Sequence, residues 1–179
     1  MKKYWLILFL ILVGSGTVSA QERKGVSMEL ESLVPMYLFG GAHIAVSLNV
    51  DNVRFRASCI DGGNYDFEPN NETFERNLGV GCGVFAGTFL NDNWHIYLFV
   101  ERQRYIVTKR DSLVQATFDV WDVGPGIGYQ YFIWDETYIQ PALHLYYRSS
   151  QTKQIDGIDY SLRNLDLSAV FRVGYRFHW

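Results

Sequence analysis

Beyond its first 20 residues this chain has no apolar stretch approaching the length, about 20 residues, that a helix needs to span a bilayer. That excludes a helical membrane protein. It also lacks a basic run or patch, which argues against a nucleic-acid partner. No His, Cys or carboxylate spacing resembles a metal site, so neither metal nor cofactor is expected. Proline is scarce, at four, and cysteine scarcer, with only Cys59 and Cys82. Each cysteine sits inside a strand pattern rather than a loop. A disulfide is open to an exported chain, but sequence alone cannot establish the close Cα approach it requires. The reading adopted is two small apolar residues facing lipid.

What is present begins with Lys2-Lys3, an apolar run from Tyr4 to Val13 and small residues at Val18-Ser19-Ala20. A basic start, a short apolar core and a small-residue end predict a secretory signal over residues 1–20, cleaved before Gln21. The run is too short for a membrane anchor, and no lipid-attachment cysteine follows it. Loss of Lys2 and Lys3 takes the formal charge from -3 to -5. Residues 21–179 are then one domain's length, rich in Tyr, Phe and Gly.

Period-two alternation recurs through this region and predicts eight strands: about 26–33, 41–50, 53–60, 78–89, 94–108, 115–132, 137–148 and from 164 to the end. Pro35 and Gly40-Gly41 mark the break after the first strand. Connections after the second, fourth and sixth are tight, at Asp51-Asn52, Asn91-Asp92-Asn93 and Trp134-Asp135-Glu136. Those after the third, fifth and seventh are longer, over Asp61 to Arg76, Lys109 to Val114 and Ser149 to Arg163. Short turns at one end and long loops at the other are what a transmembrane barrel shows, with both termini periplasmic when the strand count is even.

Alternation sorts the side chains. In the last strand Leu167, Ala169, Phe171, Val173, Tyr175, Phe177 and Trp179 share a face, opposite Asp166, Ser168, Arg172, Gly174, Arg176 and His178. In a soluble sandwich the apolar face would be the core; in a membrane barrel it meets lipid and the polar face fills the lumen. Two features favour the barrel. Trp94, Trp134, Tyr138 and Trp179 all fall beside the short turns or the C-terminus, as an aromatic girdle requires. The inward faces carry Gly79, Gly81, Gly83, Gly124, Gly126 and Gly128, useful where a narrow lumen must fit large neighbours. The expected fold is therefore all-β, a closed, antiparallel, up-and-down transmembrane barrel of eight strands. Pro125 and Pro141 fall inside strands and predict bulges or kinks.

The terminus supplies the third feature. Arg172-Val173-Gly174-Tyr175-Arg176-Phe177-His178-Trp179 resembles the C-terminal targeting signal of bacterial outer-membrane barrels: a polar residue, Gly two later, then aromatics at the third-last and last positions. With the strand pattern it makes the whole region similar to the small outer-membrane barrels, such as the membrane domain of outer membrane protein A and the outer membrane protein X class. The resemblance implies a bacterial outer-membrane location, contact with outer-membrane lipid and lipopolysaccharide, and the barrel assembly machinery as partner. Arg172, Gly174, Phe177 and Trp179 would then form the assembly signal.

Inward phases gather Glu29, Glu31, Arg54, Arg56, Glu101, Asp122, Arg148, Arg172 and Arg176. An eight-stranded lumen is barely wide enough for side chains, so these are expected to pair across it as a polar plug rather than a gated ion path. His43, Ser47, His95 and His144 are also inward; residues four apart in a strand are roughly 13 Å apart, so His43 and Ser47 cannot bond each other. The fifth and sixth strands exceed the 9–11 residues or so a tilted strand needs, and the surplus must be extracellular. Arg102 and Arg104 fall on the lipid-facing phase near that boundary, where lipopolysaccharide is expected. Above them Tyr105, Ile106, Val107, Phe118, Val120 and Trp121 are predicted to project with apolar residues exposed to water. Tyr105, Ile106, Phe118 and Trp121 are the expected binding site for an extracellular protein ligand. The function expected is non-enzymatic: a plugged barrel supporting the envelope or presenting loops for surface binding or adhesion. The alternatives are an enzyme acting on lipid A or phospholipid acyl chains, and a narrow, porin-like pore.

Overall fold

The computed structural model describes residues 25–178; the signal segment expected at 1–20 and Trp179 lie outside them. The strands are β1 (Val26–Ser32), β2 (Ala42–Val50), β3 (Val53–Asp61), β4 (Phe74–Phe89), β5 (Trp94–Lys109), β6 (Gln115–Tyr129), β7 (Tyr131–Phe132), β8 (Thr137–Tyr147), β9 (Gln151–Ile155), β10 (Ile158–Leu162) and β11 (Leu165–His178). One short helix, α1 (Val34–Leu38), opens on Pro35 after β1. Each wall strand pairs antiparallel with its neighbour from β1 to β6, then β6 with β8, β8 with β11, and β11 with β1. That last pairing closes an eight-stranded barrel, because β6 and β7 are one continuous wall element. Their pairs with β8, from Val123↔Tyr147 through Gly128↔Ala142 to Phe132↔Tyr138, keep one register throughout. The expected fold class holds.

Both prolines leave gaps rather than bulges. The β6–β8 ladder misses pairs around Pro125 and around Pro141, without a change of register. The bulge lies elsewhere, in β4, where the pairing with β5 slips between Leu78 and Gly81. One extra residue reverses which positions face inward: Phe74, Arg76 and Leu78 are buried below the slip in sequence, Gly81 and Phe85 above it. This is why the strand, predicted from Leu78, begins at Phe74.

In the wall the polarity is that of a membrane barrel. Outward residues such as Val46, Leu48, Val84, Leu98, Val100 and Leu167 are exposed, while Glu29, Glu31, Arg54, Arg56, Asp122 and Arg172 are buried inside. Glycines opposite bulky residues make the lumen fit. In the β5–β6 ladder Tyr97 faces Gly126 and His95 faces Gly128. A Cβ on Gly126 would stand 2.3 Å from the Tyr97 ring, and one on Gly128 2.4 Å from His95, so no larger residue fits.

Beyond Arg102 the polarity inverts. Tyr105, Val107, Phe118 and Val120 point inward and are buried with Phe74 and Leu78, while Arg104 and Asp119 face out as an ion pair at 3.1 Å. The hairpin β9–β10, with Asp156 and Gly157 both at positive φ in its turn, lies over this inner face. Its Ile155, Tyr160 and Leu162 complete the cluster, with the Tyr160 ring 5.1 Å from Phe74 and 5.7 Å from Phe118. The hairpin is a separate two-stranded sheet, and such hairpins are marginal alone in water. Burial of these side chains, at about 1.5–3 kcal/mol each, therefore holds it.

Candidate functional site: a sealed lumen and an elevated rim

The candidate residues fall into three inward tiers and one outward belt. At the tier nearest the short turns, Glu29 on β1 receives Arg54 at 2.6 Å and Arg176 at 2.7 Å. Arg54 also lies 2.9 Å from Glu31 and donates to Gln140 at 3.0 Å and Ser47 at 3.1 Å. Gln130 accepts from Arg176 at 2.8 Å and donates to Glu29 at 3.2 Å. Tyr138 donates to Glu29 and Glu31 at 3.0 and 2.9 Å. Tyr138 is thus a lumen residue, wholly buried, and not part of the girdle. Its even-numbered phase, shared with Gln140, Ala142 and His144, carried that information. Sequence reasoning also missed Gln130 and Gln140, which add hydrogen bonds to Glu29, Arg176 and Arg54.

The middle tier is aromatic and cationic. Arg56 lies 3.8 Å above the Phe85 ring, and Arg172 meets His144 Nε2 at 3.2 Å. Phe99, Tyr97 and Tyr146 pack around His144, and Glu101 is buried at the upper margin. His43 Nδ1 accepts from the Leu33 N–H at 3.1 Å, and Ser47 accepts from Arg54, so the imidazole and the hydroxyl serve different partners.

At the top tier Arg148 binds Asp122 and, at 2.6 Å, Asp166. Tyr105 donates to Asp122 at 2.8 Å. Arg76 continues the chain to Asp166 at 3.1 Å and Glu68 at 3.5 Å, and Tyr160 of the hairpin donates to Glu68 at 3.1 Å. The sequence pattern leaves Arg76 and Glu68 in a loop, because the β4 bulge hides the inward phase of Arg76. All nine acids and bases named for the lumen lie within it, but not as one network.

The predicted partner-binding set is corrected. Tyr105 and Phe118 are buried, not exposed to water, as are Val107 and Val120. Two things cover them: β4 climbs alongside β5 as far as the Phe74↔Lys109 pair, and β9–β10 folds over the apolar face. Both edges of β5 are used in ladders. The upper edge of β6 is met by side chains of β9, with Gln151 donating to the Asp119 carbonyl at 3.3 Å and Lys153 to that of Thr117. Trp121 alone of the four is strongly exposed, and Ile106 is partly so.

The outward belt explains why. Ile44, Cys59, Cys82, Arg102 and Trp121 are consecutive cross-strand partners around the wall. Cys59 and Cys82 face outward, as expected, but form a disulfide across a pair with Cα atoms 4.1 Å apart, correcting the reading of two separate residues. The bridge was invisible without the β3–β4 register. Below this belt the outward wall is apolar down to Trp94, Tyr129 and Trp134; above it come Arg104, Asp119 and Thr117. From Trp94 to Arg102 is roughly 26 Å of strand, about 20 Å along the barrel axis at the usual tilt. Of the terminal segment, Gly174 is buried against Tyr138 and Phe177 is exposed. Arg172, by contrast, packs in the lumen.

A shallow groove of about 630 Å³ in the outer wall, between Ala86, Leu98, Pro125 and Leu143, has no acid or imidazole in its lining. No protein-family model matches the sequence, and no curated protein matches it. In fold the chain is similar to the crystal structure of the N-terminal beta-barrel domain of Pseudomonas aeruginosa OprF, at 14% identity and a TM-score of 0.46, covering 88% of this chain and 100% of that one.

Proposed function

We propose that this chain is a non-enzymatic barrel of the bacterial outer membrane, with both termini periplasmic, whose sealed wall anchors a raised platform for surface binding or envelope support. The observation that carries this reading is the inversion of polarity at the level of Arg102 and Trp121. Below it the wall is apolar outside and charged inside, which is stable only with lipid around it. Above it the inner face carries the apolar cluster of Tyr105, Val107, Phe118 and Val120 and the outer face the Arg104–Asp119 pair, as in water. The apolar band of about 20 Å suits an outer membrane, which is thinner than average.

Arg102, exposed at the boundary, is placed to meet lipopolysaccharide phosphates; Arg104 contributes less, being paired with Asp119. The platform offers Trp121 and Tyr147 beside the boundary and Leu113 at the tip of the β5–β6 connection, all exposed, as contacts for an extracellular protein. The buried ion pairs of the lower and top tiers favour a plug over a pore. Protease added to intact cells should cut within residues 110–114 and spare the turns at Asp51-Asn52 and Asn91-Asp92-Asn93. Cutting at those turns instead would invert the topology and defeat the reading. For binding, Trp121→Ser with Leu113→Ser should lower surface adhesion while the barrel still assembles. Changed lipid acyl chains in cells carrying the protein would support an enzyme instead.

A further inference from the structure

Most of the lumen's charge is neutralised in pairs. Arg54, Arg76, Arg148 and Arg176 each have a carboxylate oxygen within 3.1 Å. At mid-height that pattern breaks. Arg56 comes no closer to a carboxylate than 3.6 Å, to Glu31, whose other oxygen is already held by Arg54 at 2.9 Å. Arg172 has no carboxylate within the 4.0 Å of an ion pair among the described residues; its contact is the His144 imidazole. Glu101, one inward position above Phe99, forms no such pair either.

The two guanidiniums occupy one region. Arg56 stands 3.8 and 5.2 Å from the Phe85 and Tyr97 rings, and the His144 ring that Arg172 touches is 6.1 and 5.5 Å from the same two. They are close enough to repel each other. Both side chains are over nine-tenths buried, yet Nε and Nη2 of Arg56, Nε and Nη1 of Arg172 and Nε2 of Gln140 have no hydrogen-bond partner. Gln140 is the cross-strand neighbour of Arg172. Arginine cannot shed its proton to escape the cost of burial, and five donor nitrogens without partners around two like charges call for an acceptor that is also negative.

We propose that the barrel holds a small monovalent anion of the halide type in mid-lumen, bound by Arg56 and Arg172 with Gln140 as a third donor. Phe85, Tyr97 and His144 pack against the two guanidiniums, so the guest is small, and the excess of these two charges over the nearby carboxylate of Glu101 selects against a neutral one. Such a guest would lock the middle tier as the ion pairs lock the other two.

Bromide is the probe. Crystals of the full-length protein grown in sodium bromide should show an anomalous peak within hydrogen-bond distance of both guanidiniums, and thermal unfolding in detergent should shift upward with the logarithm of bromide concentration at fixed ionic strength. Arg172→Gln and, separately, Arg56→Gln should abolish that dependence. If either fails to assemble, the wild-type peak and titration still decide. An anomalous map without a peak there, or a midpoint unchanged between bromide and gluconate, overturns the proposal; so does a bromide dependence that persists in an assembled Arg172→Gln protein.

Discussion

Arg54 reaches Glu29 at 2.6 Å across the intervening strand β2, with both side chains essentially sealed from solvent. Glu29 also carries Arg176, Gln130 and Tyr138, so it is the hub of the tier nearest the short turns. Replacing it with Gln keeps the shape and removes the charge that offsets two arginines. Breaking a buried pair from one side costs about 3–5 kcal/mol. The Glu29→Gln protein is expected to unfold at correspondingly lower urea, measured by the mobility shift between folded and heated barrel on gels. An unchanged midpoint would mean that this tier contributes nothing to the plug.

Gly126 and Tyr97 make a size-matched pair, with no room for a Cβ between them. Gly126→Ala is expected to destabilise the barrel by about 1–3 kcal/mol through overpacking. Adding Tyr97→Leu should return much of that loss, because the clash and not the backbone is the cause. A double-mutant cycle on urea unfolding checks the coupling.

The disulfide between Cys59 and Cys82 closes a sequence separation of 23. In the loop-entropy account such a closure stabilises by about 3 kcal/mol. Cys59→Ser with Cys82→Ser should therefore assemble but unfold at lower denaturant. The two variants of equal stability would show that the barrel ladder alone constrains this hairpin even when unfolded.

The loop from Gly62 to Thr73 is organised on Asp66. Its burial would raise the carboxyl's pKa, but the N–H groups of Glu68 and Arg76 and the guanidinium of Arg110 hold it below the ordinary value of 3.8. A lowered folded pKa gives stability that is fully present above the unfolded value and lost as pH falls through the folded one. Proteolysis of this loop should accelerate only below about pH 4, whereas Asp66→Asn should be cut readily at neutral pH. A pH-independent rate in the native protein would contradict this role for Asp66.

The strand order, turn placement and inward charges were legible because period-two patterning is a local property. What escaped depends on longer-range facts. The Cys59–Cys82 bridge needs the register of β3 on β4, and the inward turn of Arg76 needs the bulge near Gly79. Tyr105 and Phe118 were misread as exposed because their cover, β9–β10, comes from a segment read as loop, although Ile155-Asp156-Gly157-Ile158 carries a recognised two-residue hairpin signal. Tyr138 has the residue type of a girdle but the phase of the lumen, and the phase decides.

The central claim is that the membrane ends at the level of Arg102 and Trp121. The described cysteines are both bridged, so single cysteines for nitroxide labels can be placed on outward positions of β5 at Leu98, Val100, Arg102, Arg104 and Ile106 without competing thiols among them. In proteoliposomes, accessibility to oxygen should dominate at Leu98 and Val100, cross over at Arg102, and give way to a water-soluble nickel chelate at Arg104 and Ile106. Equal access of the nickel chelate at all five, or oxygen dominance as far as Ile106, would contradict the account.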